Sequence, residues 1–453
     1  MFLGQIARSV RTQAHGSPLA FNLALKSISS TASRGFGTVP SRHDVSTQRQ
    51  RSSVASAWQH GKAVRLYSSA SSDLTHATAL VYSAYGRPTE VLKVLEHTLP
   101  NPGNDEVQVQ FMASPINPAD INQVEGVYPL KPPMTTQLYN SSSDQKTPVA
   151  VGGNEGVAKV TKVGPNSTSS LKVGDWVVMG SAGLGTWRSH GNFLAKDLTE
   201  VRPLSASGTG LDETEQIVQL ATLTVNPCTA YRMLRDFKTL SPGDFIIQNG
   251  ANSGVGEAVI QLAKAMDVKT INIIRKREGS DQVAERLQKL GATYILTDDQ
   301  LGRLETKELV KSWTAPSGSN SKGSKIKLGF NCVGGKPATE MARLLSADGH
   351  LITYGAMSRQ PLILPASLQI FKNVHASGFW LTAWNDRHSS QERQEMVDAV
   401  LNDMDRGILK GIHSSKNTWS LKSPESLQDQ LLEAVQKATS SGHGKQVFVM
   451  QNS

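Results

Sequence analysis

An eight-residue glycine-rich turn, Asn249-Gly250-Ala251-Asn252-Ser253-Gly254-Val255-Gly256, constrains the fold of this chain more than any other feature. It follows a short apolar run, Phe245-Ile246-Ile247-Gln248, and opens Val255–Met266, where Val255, Val259, Leu262 and Met266 share one helical face. Thr270 to Ile274 reads as the next strand. Strand, glycine turn, helix and strand together begin a doubly wound parallel sheet, and Ala284–Leu290, Tyr294–Leu296, Ile326–Asn331 and Leu351–Tyr354 continue the alternation. Glycines let the backbone turn tightly and approach a pyrophosphate, while the helix that follows presents free N–H groups to it.

The residues after the second strand bear on which dinucleotide would fit. An Asp or Glu there would bind a ribose 2′-hydroxyl, but this strand runs into Arg275-Lys276-Arg277, whose cations suit a 2′-phosphate. NADPH is therefore the expected cofactor.

Upstream, from Ala77 to about Val201, short β-rich pieces alternate with turns: Ala79–Tyr82, Glu106–Met112, Gly156–Val163 and Asp175–Met179. That spacing fits a small barrel or sandwich. After Trp384 the chain is polar and helical until Gln446–Met450, a final strand expected to return to the first domain. Thr135–Lys146 and Ser317–Ser324 read as flexible insertions.

The formal net charge of +9 does not call for nucleic acid, because it is concentrated at one end. Residues 1–67 hold nine Lys or Arg against the single acid Asp44, which leaves the remainder close to neutral. This leader has the composition of a mitochondrial transit peptide, with Phe2, Leu3, Ile6 and Val10 on one helical side and Arg8 and Arg11 opposite. Arg65 lies three residues before an expected cut that would leave Ser68 as the N-terminus, in the mitochondrial matrix. The sequence has no apolar run long enough for a membrane span.

Missing motifs narrow the chemistry. None of the eight tyrosines is followed four residues later by Lys, and there is no Gly-x-Ser-x-Gly elbow. The two cysteines, Cys228 and Cys332, are not at metal-ligand spacing and read as small buried residues. Medium-chain dehydrogenases carry a zinc-binding His in a Gly-His-Glu stretch. Here that stretch is Gly153-Asn154-Glu155, so no metal is expected. Trp187 reads as a packed side chain and His190 as a surface one.

The segment from Pro115 to Pro129, Pro-Ile-Asn-Pro-Ala-Asp-Ile-Asn-Gln-Val-Glu-Gly-Val-Tyr-Pro, resembles the mitochondrial trans-2-enoyl thioester reductases of the medium-chain dehydrogenase/reductase superfamily. Gly185-Thr186-Trp187, Thr224–Tyr231, Phe330–Lys336 and Ser377-Gly378-Phe379-Trp380 agree with it, and the similarity runs from about Ala77 to Val449. The resemblance implies an α/β fold: a GroES-like β-barrel catalytic domain over 68–223, a Rossmann domain over 224–383, and a return to the catalytic domain over 384–453. It implies NADPH-dependent, zinc-independent reduction of an enoyl thioester on acyl carrier protein or coenzyme A, by a homodimer. By resemblance Tyr128 is the catalytic proton donor. Asn226 lies near the nicotinamide, Asn252, Ser253, Gly254 and Val255 form the phosphate loop, and Arg275, Lys276 and Arg277 hold the 2′-phosphate. Tyr354, Gly355, Ala356, Met357, Phe379, Trp380 and Leu381 flank the nicotinamide and acyl pocket, and Lys445 is a late cofactor contact. Ala356 stands where a second Gly is expected, and Leu138–Lys146 is more polar than the family pattern. Two other readings use the same loop: an NADPH:quinone oxidoreductase, which needs no Tyr128, and a nucleotide-binding partner protein without turnover.

Overall fold

The computed structural model describes residues 74–451, apart from 140–145, 166, 206–209, 316–324, 421–423 and 441. The expected leader, its cut at Ser68, the insertion at 317–324 and most of the polar stretch after Tyr139 lie outside the described residues.

The chain enters on two antiparallel strands, β1 (Thr75–Tyr82) and β2 (Lys93–Leu99), with β1 also paired to β4 (Ala150–Val151). The larger barrel sheet is organised around the ten-residue strand β3 (Glu106–Pro115). β3 pairs antiparallel with β5 (Val157–Val163) and β7 (His190–Leu194), and β6 (Trp176–Met179) and β8 (Leu198–Val201) extend the sheet beyond β5. Alternation along β3 sends Val107, Val109 and Phe111 into a core with Val160, Val177 and Phe193.

The second half is a six-stranded sheet, parallel throughout. Its strands are β9 (Phe245–Asn249), β10 (Lys269–Ile274), β11 (Tyr294–Thr297), β12 (Ile326–Asn331), β13 (His350–Thr353) and β14 (His375–Gly378), in the order β11-β10-β9-β12-β13-β14. Helices cover both faces, as a parallel sheet requires, and β9 is buried at all five positions. The glycine turn lies at the C-terminal end of β9, next to the point where strand order reverses between β9 and β12.

Two further strands, β15 (Ser414–Trp419) and β16 (Lys445–Met450), return to the barrel sheet, with β16 parallel to β15 and antiparallel to β3. β15 does not show in the apolar pattern because it is polar from Ser414 to Thr418 and buries only Trp419. Lys445 is the first residue of β16 and half-buried. His190, read above as a surface side chain, is instead half-buried in β7, and burial lowers its pKa. Trp187 is fully buried and donates from Nε1 to the Pro115 carbonyl at 3.1 Å. Among the described residues, no helix is long and apolar enough to cross a membrane.

Candidate active site

Tyr128 is set by the short helix before it. Asn117 precedes helix Pro118–Val124, Pro118 begins it with a fixed φ, and the Asp120 carboxylate accepts from the Asn117 backbone N–H at 2.6 Å. The chain leaves this helix through Gly126 at φ +77°, where a Cβ would come within 2.8 Å of the Tyr85 ring. The amides of Val127 and Tyr128 then both donate to the Asn122 carbonyl, at 2.9 and 3.1 Å.

That turn brings the Tyr128 hydroxyl to Trp380, 252 residues away, whose indole Nε1 donates to it at 2.8 Å. The rings meet edge to face, with centroids 6.0 Å apart. The phenol oxygen thus already accepts one hydrogen bond, and its own proton remains to be donated. Burial raises the Tyr128 pKa and the Asp120 charge adds to this, while the Trp380 hydrogen bond favours the phenolate and opposes both. A second tie joins the same loop to the segment after β13, where Arg359 pairs with Glu125 at 2.9 Å.

The glycine turn has the geometry of an anion cradle. Gly250 sits at φ +58°, with the Cys332 thiol 2.4 Å from where a Cβ would stand. Ser253 caps the helix Gly254–Ala265 by accepting from the Gly256 N–H at 3.2 Å. The Tyr354 hydroxyl is buried against Ser253 and the Cys332 thiol, and burial raises its pKa. A buried hydroxyl at a glycine-lined helix start fits a phosphorylated dinucleotide, whose oxygens it could reach as a donor. Arg275 and Lys276 are exposed and Arg277 half-exposed at the end of β10, and the Lys276 backbone N–H donates to Asp298 at 2.9 Å. Their guanidinium and ammonium groups make no ion pair among the described residues.

Of the remaining expected residues, Asn252 is half-buried in the turn and Val255 packs into the core. Gly355 lies over Cys332, and the Met357 amide donates to the Cys332 carbonyl at 2.9 Å, although Ala356 and Met357 are themselves exposed. Phe379 and Leu381 lean on the main core, whereas Trp380 is 40% exposed and turned toward Tyr128. Asn226 and Lys445, 219 positions apart in sequence, converge on one atom: both approach the Asn117 side-chain oxygen, Asn226 from 3.5 Å and the Lys445 ammonium in direct contact. No hydrogen bond or ion pair links the Arg275–Arg277 cluster to the Tyr128–Trp380 pair among the described residues.

The sequence reading missed the two buried carboxylates around Asn117. Asp120 and Glu155 have no exposed surface. Burial raises Asp120 to about 6 and Glu155 to about 7, and the Lys445 charge opposes both shifts. Burial also lowers the Lys445 pKa. The Asn-Pro-x-Asp spacing at 117–120 was a legible helix start, but nothing in the sequence showed that Glu155 and Lys445 would meet it.

Asn154, at the position of the zinc-binding His, uses its amide on protein partners. It donates to Asp120 at 2.5 Å and to Gln123 at 2.6 Å, and accepts from the Gly183 N–H at 2.7 Å. Among the described residues no three His, Cys, Asp or Glu side chains are grouped to hold a metal. This donor set does not fit zinc.

Two family models match the chain: the alcohol dehydrogenase GroES-like domain over residues 103–210 and zinc-binding dehydrogenase over residues 254–402. The mitochondrial enoyl-[acyl-carrier-protein] reductase of Schizosaccharomyces pombe is 39% identical over 392 residues, which cover 86% of this chain and 98% of that protein. The solved Etr1p/NADP/crotonyl-CoA complex superposes with a TM-score of 0.74 at 36% identity, covering 83% of this chain and all of that one. A mitochondrial 2-enoyl thioester reductase Etr1p/Etr2p heterodimer from Candida tropicalis matches with the same scores and coverage. With a barrel leading into a parallel sheet, both family models matched, and a relative 39% identical that is matched nearly end to end, the chain belongs to the mitochondrial enoyl-[acyl-carrier-protein] reductase family.

Proposed function

We propose that Tyr128 is the proton donor of an NADPH-dependent reduction of the trans-2 double bond of an enoyl thioester, and that Trp380 holds its hydroxyl in place. The protein is a mitochondrial NADPH-dependent enoyl thioester reductase, and the matrix is the compartment its basic leader fits. The observation that carries the role of Tyr128 is the 2.8 Å hydrogen bond from Trp380, made across two distant parts of the chain.

When bound, NADPH supplies the hydride that adds to the β carbon. Asn252, Ser253, Gly254 and Val255 would hold its diphosphate, Tyr354 would complete that cradle, and Arg275, Lys276 and Arg277 would take the 2′-phosphate. Asn226 and Lys445 would approach it from the barrel side. As the double bond is reduced, negative charge collects on the thioester oxygen and the α carbon, and a positioned acid must neutralise it. The Tyr128 hydroxyl is suited to this: its oxygen is fixed by the indole N–H, which stabilises the phenolate left behind, and its proton is free to transfer. The thioester is carried on acyl carrier protein or coenzyme A.

A second copy of the chain is the expected partner. Ile363, Ile370 and Phe371 are 66%, 70% and 80% exposed around helix Ala366–Lys372, which precedes the edge strand β14. A cluster of this kind beside an unpaired strand edge fits pairing with an identical molecule.

The test follows NADPH oxidation with a medium-chain trans-2-enoyl-CoA, with a quinone as control. Tyr128→Phe should lower kcat by roughly 10²- to 10⁴-fold and leave NADPH affinity unchanged. Turnover with quinone alone, or a variant as active as wild type, would reject the assignment. For the pairing, light scattering should report a dimer that Phe371→Glu dissociates; a wild-type monomer would reject it.

A further inference from the structure

The chain passes from the barrel to the nucleotide sheet through Leu223-Thr224-Val225, and helix Asn226–Asp236 starts there with Pro227 in its first turn but no side-chain cap of its own. Val225 at the N-cap has no side chain that can cap, and the first turn contains no acid. An acceptor arrives from the barrel instead. Glu155 Oε1 accepts from the Val225 N–H at 2.6 Å and from the Thr224 hydroxyl at 3.3 Å.

The other oxygen of this carboxylate faces the catalytic loop. Glu155 Oε2 accepts from Asn117 Nδ2 at 2.8 Å, which fixes the orientation of the Asn117 amide. With its nitrogen committed to Glu155, Asn117 must present its oxygen the other way, to Lys445 and Asn226. Asn226 in turn abuts the phosphate loop, since a Cβ on Gly254 would lie 3.0 Å from the Asn226 Cγ. One fully buried carboxylate therefore holds the start of a helix, the turn before the helix that leads to Tyr128 and, through Asn117, the two polar side chains on the barrel side of the dinucleotide cradle.

We infer that Glu155 is a positioning residue for the reduction, acting through Asn117 and the Thr224–Val225 crossover to set Asn226 and Lys445 against the cofactor. The inference rests on reading Asn226 and Lys445 as cofactor contacts. A carboxylate is required because all of its neighbours are donors: a backbone N–H, a hydroxyl and an amide NH₂. Glu155→Gln preserves shape but turns an NH₂ toward one of these donors, so that Asn117 has to flip or lose its partner.

The experiment titrates purified variants with NADPH, reading nicotinamide fluorescence, alongside thermal melts and steady-state kinetics. Glu155→Gln should weaken NADPH binding about tenfold, with the KM for the enoyl thioester changed less than twofold. The double variant Asn117→Asp, Glu155→Gln moves the charge across the same hydrogen bond: the new amide donates to the new carboxylate, which still faces Lys445. It should bind NADPH within threefold of wild type. Glu155→Gln within twofold of wild type, or a double variant no tighter than the single, would overturn the inference. If Glu155→Gln does not fold, the double variant decides alone: wild-type-like affinity upholds the inference, and failure to bind or to fold overturns it. Asn226→Ala and Lys445→Met test the underlying reading separately. If they leave NADPH affinity intact, the cofactor assignment of those residues fails, whatever Glu155 does.

Discussion

His97 should make this protein acid-sensitive by an amount that can be worked out in advance. Its side chain is 3% exposed on β2, and among the described residues neither ring nitrogen makes a well-formed hydrogen bond. The titratable groups beside it are basic. Burial lowers its pKa from 6.5 to about 4; the Leu95 backbone opposes this, and Arg188 and His190 push in the same direction as burial. Arg188 is buried and pairs with no acid among the described residues, its guanidinium donating to the carbonyls of Gly185 and Leu184. A histidine with a depressed folded pKa contributes full stability above its unfolded value. That contribution drains away as pH falls from about 6.5 toward 4, because only the unfolded chain takes up the proton. At about 1.4 kcal/mol per unit, the loss approaches about 3 kcal/mol. With an unfolding entropy near 2.1 cal/mol/K per residue over roughly 380 residues, this is about 3 to 4 °C in Tm. Asp120, Glu155 and Glu257 have raised folded pKa values and act in the opposite sense, but they are common to both proteins and cancel in a difference. The assay compares Tm for wild type and His97→Phe at pH 7.5 and 4.5. The ring replacement should match wild type to within about 1 °C at the higher pH and exceed it by about 3 °C at the lower. Parallel curves would refute the reasoning.

Three further outcomes follow from contacts already described. Trp380→Phe keeps a ring beside Tyr128 but removes the donor, so kcat should fall about tenfold and the alkaline limb of its pH profile should move upward; an unmoved limb counts against the hydrogen bond. Arg275→Ala and Arg277→Ala should each raise the KM for NADPH roughly tenfold while changing that for NADH less than twofold; equal effects on both would mean the pair does not read the 2′-phosphate. Gly152→Ala places a Cβ 2.3 Å from Trp187 Cε3, in a ring that is fully buried and pinned to Pro115. It should cost roughly 3 kcal/mol in denaturant unfolding or abolish folding, and a loss under about 1 kcal/mol would mean that Trp187 can move.

The parallel sheet was legible because its buried strands are largely apolar. Phe245–Gln248 and Ile326–Asn331 stand out against their flanks, and the glycine turn marks where the first helix begins. β15 was not legible, since its polar face leaves no alternation to read. His190 was misread for a related reason: a histidine beside Ser189 carries no mark of burial, and only the pairing of β7 with β3 encloses it. In the site, the segment from Pro115 to Pro129 pointed to Tyr128, but its partner Trp380 sits two residues past β14, at the start of helix Leu381–Arg387, and meets it only through the fold. The ring of polar groups at Asn117 is the extreme case. Asp120, Glu155, Asn226 and Lys445 come from two helices, the loop before β5 and the last strand, and a carboxylate in a sequence gives no sign of whether it will meet water or a lysine.

The place of β16 bears on how the molecule can be made. Its six residues lie inside the barrel sheet, between β15 and β3, and they begin with Lys445. The strands from β9 to β14 are contiguous in sequence and can assemble while the C-terminus is still in transit. The barrel cannot: β3 has to wait for a partner more than three hundred positions downstream, a long-range closure that is intrinsically slow. A chain emerging unfolded from a membrane pore would thus pass through a stage with its nucleotide half formed and the Ala113–Pro115 end of β3 without its partner, while β7 already covers Glu106–Gln110. A stop codon before Val447 would remove all three residues that pair with β3 and leave that strand end open permanently, a template for aggregation rather than a slightly shortened enzyme.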